Sequence, residues 1–207
     1  MCGRYMIDDE AFDIRAIIEA AERNSKLTST STDSPIWQHT GSVEVFPGTY
    51  APVIDANLEP QFMFWGFPHI MNGKPPLINA RSETAAEKKT FSSAMASRRC
   101  LVPASAFYEW KSTGQKQKDR YEFRLPERES MYMAGIYTED GKFAILTRAA
   151  SPSVVSIHDR MPVIIPSSYN ETWLRDTPAI ILEALTELHS QQVPNKTNLS
   201  PQMTLFQ

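Results

Sequence analysis

Apolar residues recur along the chain in two rhythms, and the switches between them lay out the elements. Over "DDEAFDIRAIIEAAERN", Phe12, Ile14, Ile17 and Ile18 share one side of a helical wheel behind an acidic first turn. That pattern predicts a helix over residues 8–24. Shorter runs follow: "TYAPVI", "PQFMFWGF", "RCLVPA", "AFYEWK", "RYEFRL", "MYMAGIYT", "KFAILTRA" and "RMPVIIP". Most are rich in β-branched and aromatic residues, lie between turn signals, and predict strands. "GKPPLINAR" reads as extended, because the residue before each proline is kept out of the helical region. "SETAAEKK" predicts a short helix capped by Ser82. "YNETWLRD" and "AIILEALTELH" predict two more, followed by an irregular tail. Strands outnumber helices and their connections are short. The expected fold is therefore α+β, a curved, mainly antiparallel, barrel-like sheet with flanking helices. No linker or internal repeat divides the chain, so residues 1–207 are expected to form a single domain.

Composition narrows the setting. With 42% hydrophobic residues the chain can bury a core, and no apolar run is longer than a strand, so no membrane partner is expected. The acidic, amphipathic opening is unlike a secretory signal, which points to the cytoplasm and to reduced Cys2 and Cys100. His39, His69, His158 and His189 show no ligand spacing, so neither a metal nor a cofactor is expected. Charge adds one feature. The net −3 conceals a basic middle: residues 74–128 hold 12 Lys/Arg against 6 Asp/Glu, whereas residues 1–73 hold 4 against 10. A basic segment in an acidic protein suits a polyanion such as nucleic acid, and suits a solvated face equally well.

Four segments set polar residues inside apolar runs. In "MCGRY", loss of Met1 would leave Cys2 with a free α-amine and a thiol on adjacent carbons, with Arg4 on the same face if the strand is extended. In "LINAR", Asn79 and Arg81 alternate onto one face. In "FYEWK", Glu109 stands between two aromatic residues. In "SIHDRMP", His158, Asp159 and Arg160 precede an apolar strand. Each also has a plain structural reading. Asn79 and Arg81 suit the start of the next helix, Glu109 a pair with Lys111, His158 a core histidine, and Asp159–Arg160 a surface pair.

In their order and spacing, "MCGRY", "PPLINARSET", "RRCLVPASAFYEWK" and "SIHDRMPVII" resemble the SOS response associated peptidase (SRAP) family of abasic-site processing proteins, over roughly residues 1–175. The resemblance implies a monomer that crosslinks itself to abasic sites in single-stranded DNA, at the nucleoid when DNA is damaged. The processed Cys2 would condense with the ring-opened sugar to give a thiazolidine. It implies a catalytic set of Cys2, Asn79, Arg81, Glu109 and His158. It also implies DNA contacts from Arg4, Trp65, Met71, Thr147 and Arg160. Where some members carry a Trp pair after the "WG" strand, this chain has Ile70, Met71 and Asn72. The chemistry suits the residues. Amine and thiol both have reactive fractions near neutral pH, and their union on one residue makes ring closure intramolecular. His158 and Glu109 can carry protons, and Arg81 can hold a phosphate.

Three other classes remain open. Amidotransferase domains that begin "MCG" use a processed cysteine as nucleophile, but usually continue with an aliphatic residue where Arg4 stands. A cysteine peptidase, as the family's older name suggests, would pair Cys2 with His158 and keep Glu109 as a further acid or base; it is compatible with crosslinking as a secondary activity, for example self-release. A nucleic-acid-binding module without chemistry would use the basic segment and leave Cys2, Glu109 and His158 idle.

Overall fold

The computed structural model describes residues 2–24, 41–71, 73–176, 182 and 187–195. Two sheets share the main core. The first contains β1 (Tyr5–Asp8), β2 (Ser42–Val45), β7 (Ala106–Lys111), β8 (Asp119–Arg124) and β13 (His189–Val193), in the antiparallel order β13–β8–β7–β1–β2. The second contains β3 (Tyr50–Ile54), β4 (Pro60–Trp65), β5 (Asn79–Arg81), β6 (Arg99–Ala104), β9 (Met131–Tyr137), β10 (Lys142–Ala149), β11 (Arg160–Pro162) and β12 (Ile164–Ile165). Because β10 pairs with both β4 and β9, the circuit β10–β4–β3–β6–β9 forms a partial barrel. Its weakest seam is the single register pair Ile54↔Leu101 between β3 and β6. This is the expected α+β architecture.

The two-residue period of the strands sorts side chains between faces. In β10, Phe143 and Ile145 enter the main core, while Ala144 and Leu146 enter a second cluster with Trp173 and Leu174. In β7, Phe107 joins the main core and Tyr108 packs on the opposite face with Met6 and Ala106. Glu109 therefore shares the inward face with Phe107. One contact demands glycine: a Cβ at Gly135 would lie 2.7 Å from the Cys100 sulfur, its register partner across β6–β9.

Helices cover the sheets. α1 (Phe12–Asn24) lies over β3 and β4 and buries Ile14, Ile18 and Ala21. α2 (Ser82–Ala85), α3 (Ser92–Ser97) and α4 (Asn170–Arg175) are short. Buried Arg99 ties two of them down. Its guanidinium donates to Met95 O (2.7 Å) and Ala96 O (3.1 Å) at the end of α3, and to Trp173 O (2.7 Å) and Leu174 O (3.1 Å) at the end of α4.

Several boundaries differ from expectation for identifiable reasons. The first helix starts at Phe12 because Tyr5–Asp8 pairs as a strand with β2. Ser82 does not cap α2: it is the first helical residue, Arg81 holds the cap position, and no side chain bonds there. That helix ends at Ala85 rather than continuing to residue 89. The run at 160–166 breaks in two, with β11 on β10 and β12 on β9. Strand β2, helix α3 and strand β13, inside the expected tail region, are additions. The helix expected over 179–189 falls mostly outside the described residues. Among the described residues, no helix is long and apolar enough to cross a membrane, and no cluster of three His, Cys, Asp or Glu side chains could hold a metal ion.

Candidate functional site

Strand β10 organises the site. Its first half closes the barrel, and its second half leaves both edges to short segments that carry the candidate residues. On one edge Ile145 faces Asn79 and Thr147 faces Arg81, in parallel register. On the other edge Thr147 faces Pro162 and Ala149 faces Arg160, antiparallel. Asn79–Arg81 and Arg160 are thus flanking neighbours of one strand. His158 precedes β11 at the end of a wound turn, in which Val154 O accepts the Ile157 and His158 N–H groups.

Cys2 is buried in the main core. Its carbonyl accepts a hydrogen bond from Asn79 Nδ2 at 2.8 Å, and its thiol donates to Arg4 O at 3.7 Å. The second amide atom of Asn79, Oδ1, is buried with no partner among the described residues. Burial, and then the charge of Glu109, push the thiol far above its ordinary range. Glu109 is itself buried, which raises its carboxyl to about 7.

His158 Nε2 lies 3.7 Å from Glu109 Oε2. His158 Nδ1 lies 3.0 Å from the Arg160 backbone N–H, which can donate to it, and 3.2 Å from the Arg160 carbonyl oxygen, which can accept from it, so Arg160 holds this edge of the ring in either tautomer. Asp159 Oδ1 stands 3.1 Å from Nδ1. Burial lowers the imidazole pKa below its ordinary value, so the ring is neutral at pH 7. The site therefore joins a carboxyl poised between its two forms to a neutral imidazole whose Nε2 faces it.

The structure brings Cys2 to Asn79 and Glu109 to His158. Arg81 lies on the surface at the end of β5, with no side-chain partner among the described residues. The other candidates are placed differently. Arg4 does not share a face with Cys2. Its guanidinium lies over Phe46 (4.4 Å) and Trp110 (5.6 Å) and reaches Glu44 Oε1 at 3.5 Å, on the side of the sheet that carries Met6 and Tyr108. Arg160 is clamped by Glu83 and by the Thr147 carbonyl. Met71 is well exposed at 58%, beside Ile70 at 60%.

Two expectations need correction. Trp65 is fully buried, stacks on Phe143 and donates to Ile78 O at 2.9 Å, so it offers a DNA strand no surface. Thr147 is equally buried, with its hydroxyl donating to Ala80 O at 3.5 Å and the Arg160 guanidinium 3.4 Å from it. The basic middle is also less available than its charge suggests. Arg99 and Arg120 are buried, Arg98 pairs with Glu139 and Arg124 with Glu122. Lys88, Lys89, Lys116 and Lys118 remain exposed. Glu83 was missing from the sequence reading, although a carboxylate two residues after Arg81 was its available signal.

Comparison with known proteins bears on the family and the fold. Residues 1–201 match the family model for SOS response associated peptidase (SRAP). The abasic site processing protein YedK of Escherichia coli is 32% identical over 186 residues, covering 84% of this chain and 80% of that protein. The abasic site processing protein YobE of Bacillus subtilis is 34% identical over 61% of this chain and 65% of its own length. A crystal structure of a protein from Bacteroides thetaiotaomicron superimposes with a TM-score of 0.72 at 23% identity, covering 94% of this chain and 93% of that one, which speaks to the fold alone.

Proposed function

The chain belongs to the SOS response associated peptidase (SRAP) family, and on that premise we propose that it processes abasic sites in single-stranded DNA by crosslinking to them through Cys2. The observation that carries the reading is the placement of Cys2: its backbone is held by Asn79, and its thiol lies within the field of a carboxyl that is itself paired with His158.

The reaction starts once Met1 is removed, because an amide nitrogen at Cys2 has no lone pair to give. The α-amine attacks the open-chain sugar aldehyde and water leaves, forming an imine. The thiol then adds across the C=N bond, its proton ends on the nitrogen, and the thiazolidine ring closes. Opening the sugar, expelling water and deprotonating sulfur each need a proton carrier. A carboxyl near 7 is half ionised at neutral pH and serves in both directions. The His158 ring stands beside it with Nε2 3.7 Å away, close enough to exchange a proton with it or with the substrate. The buried thiol does not ionise alone, so its proton must leave as sulfur attacks, with Glu109 as acceptor. Arg81 holds a phosphate next to the lesion, and exposed Ile70 and Met71 wedge against unstacked bases where other members use aromatic rings. The protein acts as a monomer on damaged DNA at the nucleoid.

Peptidase and amidohydrolase readings gain no support from the geometry. A thiolate–imidazolium pair needs a thiol that ionises easily, and this one is pushed the other way, while His158 Nε2 faces Glu109.

Intact-mass analysis tests the proposal. Protein beginning at Cys2 is mixed with a single-stranded oligonucleotide containing uracil and treated with uracil glycosylase. The expected product has the summed mass less one water and survives heat without borohydride. Protein retaining Met1 should give none, and a heat-stable adduct on it would overturn the mechanism.

A further inference from the structure

We infer that Glu83 is a positioning residue, which sets the His158 imidazole for proton transfer by clamping Arg160; the inference rests on the abasic-site reading above. Glu83 lies in the first turn of α2, two residues after Arg81. Its Oε1 accepts from Arg160 NH1 at 2.6 Å and its Oε2 from Arg160 NH2 at 2.9 Å, a two-pronged match of planar groups. The Ala149 N–H donates to Oε1 at 3.2 Å, so the carboxylate spans the end of β10. Arg160 NH2 also donates to Thr147 O at 2.6 Å. With its side chain fixed at these points, Arg160 presents its backbone N–H to His158 Nδ1 at 3.0 Å. Together with the Arg160 carbonyl oxygen 3.2 Å from the same nitrogen, this contact holds the Nδ1 edge of the ring and keeps Nε2 toward Glu109 at 3.7 Å.

A lone exposed ion pair would do little. This one is bidentate, takes a third donor, and joins the segment of Asn79 and Arg81 to the segment of His158. The Arg160 guanidinium holds the Glu83 carboxyl down at about 2, so the clamp is charged throughout the range in which the enzyme would work. It also occupies the guanidinium that the sequence suggested for DNA.

The test uses Glu83→Gln and Glu83→Asp in protein beginning at Cys2. Nitrogen-15 NMR of the His158 ring, without DNA, should show one predominant tautomer in the unsubstituted protein and a changed mixture of tautomers in Glu83→Gln. Single-turnover crosslinking should slow by roughly 10–100-fold, the usual effect of removing an outer partner of a working histidine, while DNA affinity and its salt dependence stay unchanged. Glu83→Asp keeps the charge at shorter reach; it should fold and lie between the two, and it carries the test if Glu83→Gln does not fold. An unaltered tautomer overturns the inference, as does an unaltered rate. Tighter DNA binding with a steeper salt dependence also overturns it, since Glu83 would then only shield Arg160 from phosphate. Because the ring measurement needs no DNA, failure of the unsubstituted protein to form any adduct would sink the abasic-site reading separately.

Discussion

Replacing Glu109 by Gln should make the protein less active, and should shift stability in the variant's favour as pH rises from about 4.5 to about 7. The folded state raises this carboxyl from its ordinary 4.5 to about 7 through burial. Between those values the folded protein keeps a proton that the unfolded chain has released. Stability therefore falls as pH rises through that window, and is level below and above it. A displacement of that size corresponds to about 3 kcal/mol. Gln keeps the shape and cannot ionise. Relative to its difference from the unsubstituted protein at pH 4, the variant should gain about 3 kcal/mol by pH 8. In a domain of this size that is roughly 6–12 °C in melting temperature. Urea unfolding of both proteins at pH 4, 5.5, 7 and 8 measures it. Crosslinking should drop by roughly 10²–10⁴-fold in the same variant, the usual loss when a proton carrier is removed. A stability difference that stays constant from pH 4 to 8 would show that Glu109 titrates as an ordinary surface carboxyl, and the assignment of proton transfer to it would lose its physical basis.

Two further substitutions probe the surrounding frame. Arg4→Met should leave the salt dependence of single-strand binding unchanged, because Arg4 is engaged by Phe46, Trp110 and Glu44, whereas Arg81→Met should lower the log–log slope by about 0.7. Fluorescence anisotropy across a salt series separates them, and a reduced slope for Arg4→Met would put that residue back on the phosphates. Arg99→Met should destabilise the fold by about 3 kcal/mol or more, since it strips the donors from four carbonyls at two helix ends. A denaturation midpoint close to that of the unsubstituted protein would contradict that role.

Strands that bury one or both faces were legible. "AFYEWK" and "KFAILTRA" match β7 and β10 to the residue, because their apolar positions are dictated by the core. Strand β13 was not, since His189–Val193 is mostly exposed and joins the sheet by backbone pairing with β8, which leaves no mark on side-chain polarity. Helix α3 is six residues long, too short for a period to show, and is tied to the rest by Arg99 from the next strand. At the site, Asn79, Glu109 and His158 stood out as polar residues in apolar runs. The faces of Cys2 and Arg4 did not follow from alternation, because β1 starts only at Tyr5 and the residues before it are not bound to the two-residue period. Burial of Thr147 required knowing that Ala80 and Arg160, from two separate segments, close around its hydroxyl, a fact that no local pattern contains.

The double pairing of β10 also acts as a calliper. Adjacent strands keep a separation of about 4.8 Å, so the segments bearing Asn79 and Arg160 stand about 10 Å apart across Thr147, whatever the loops around them do. The jaws of this gauge are set by backbone hydrogen bonds, which almost any residue can supply. Insertions in the connections at residues 66–78 or 150–159 would lengthen the handles without opening the jaws. The loops can therefore vary in length and composition while the spacing of the two segments stays constant.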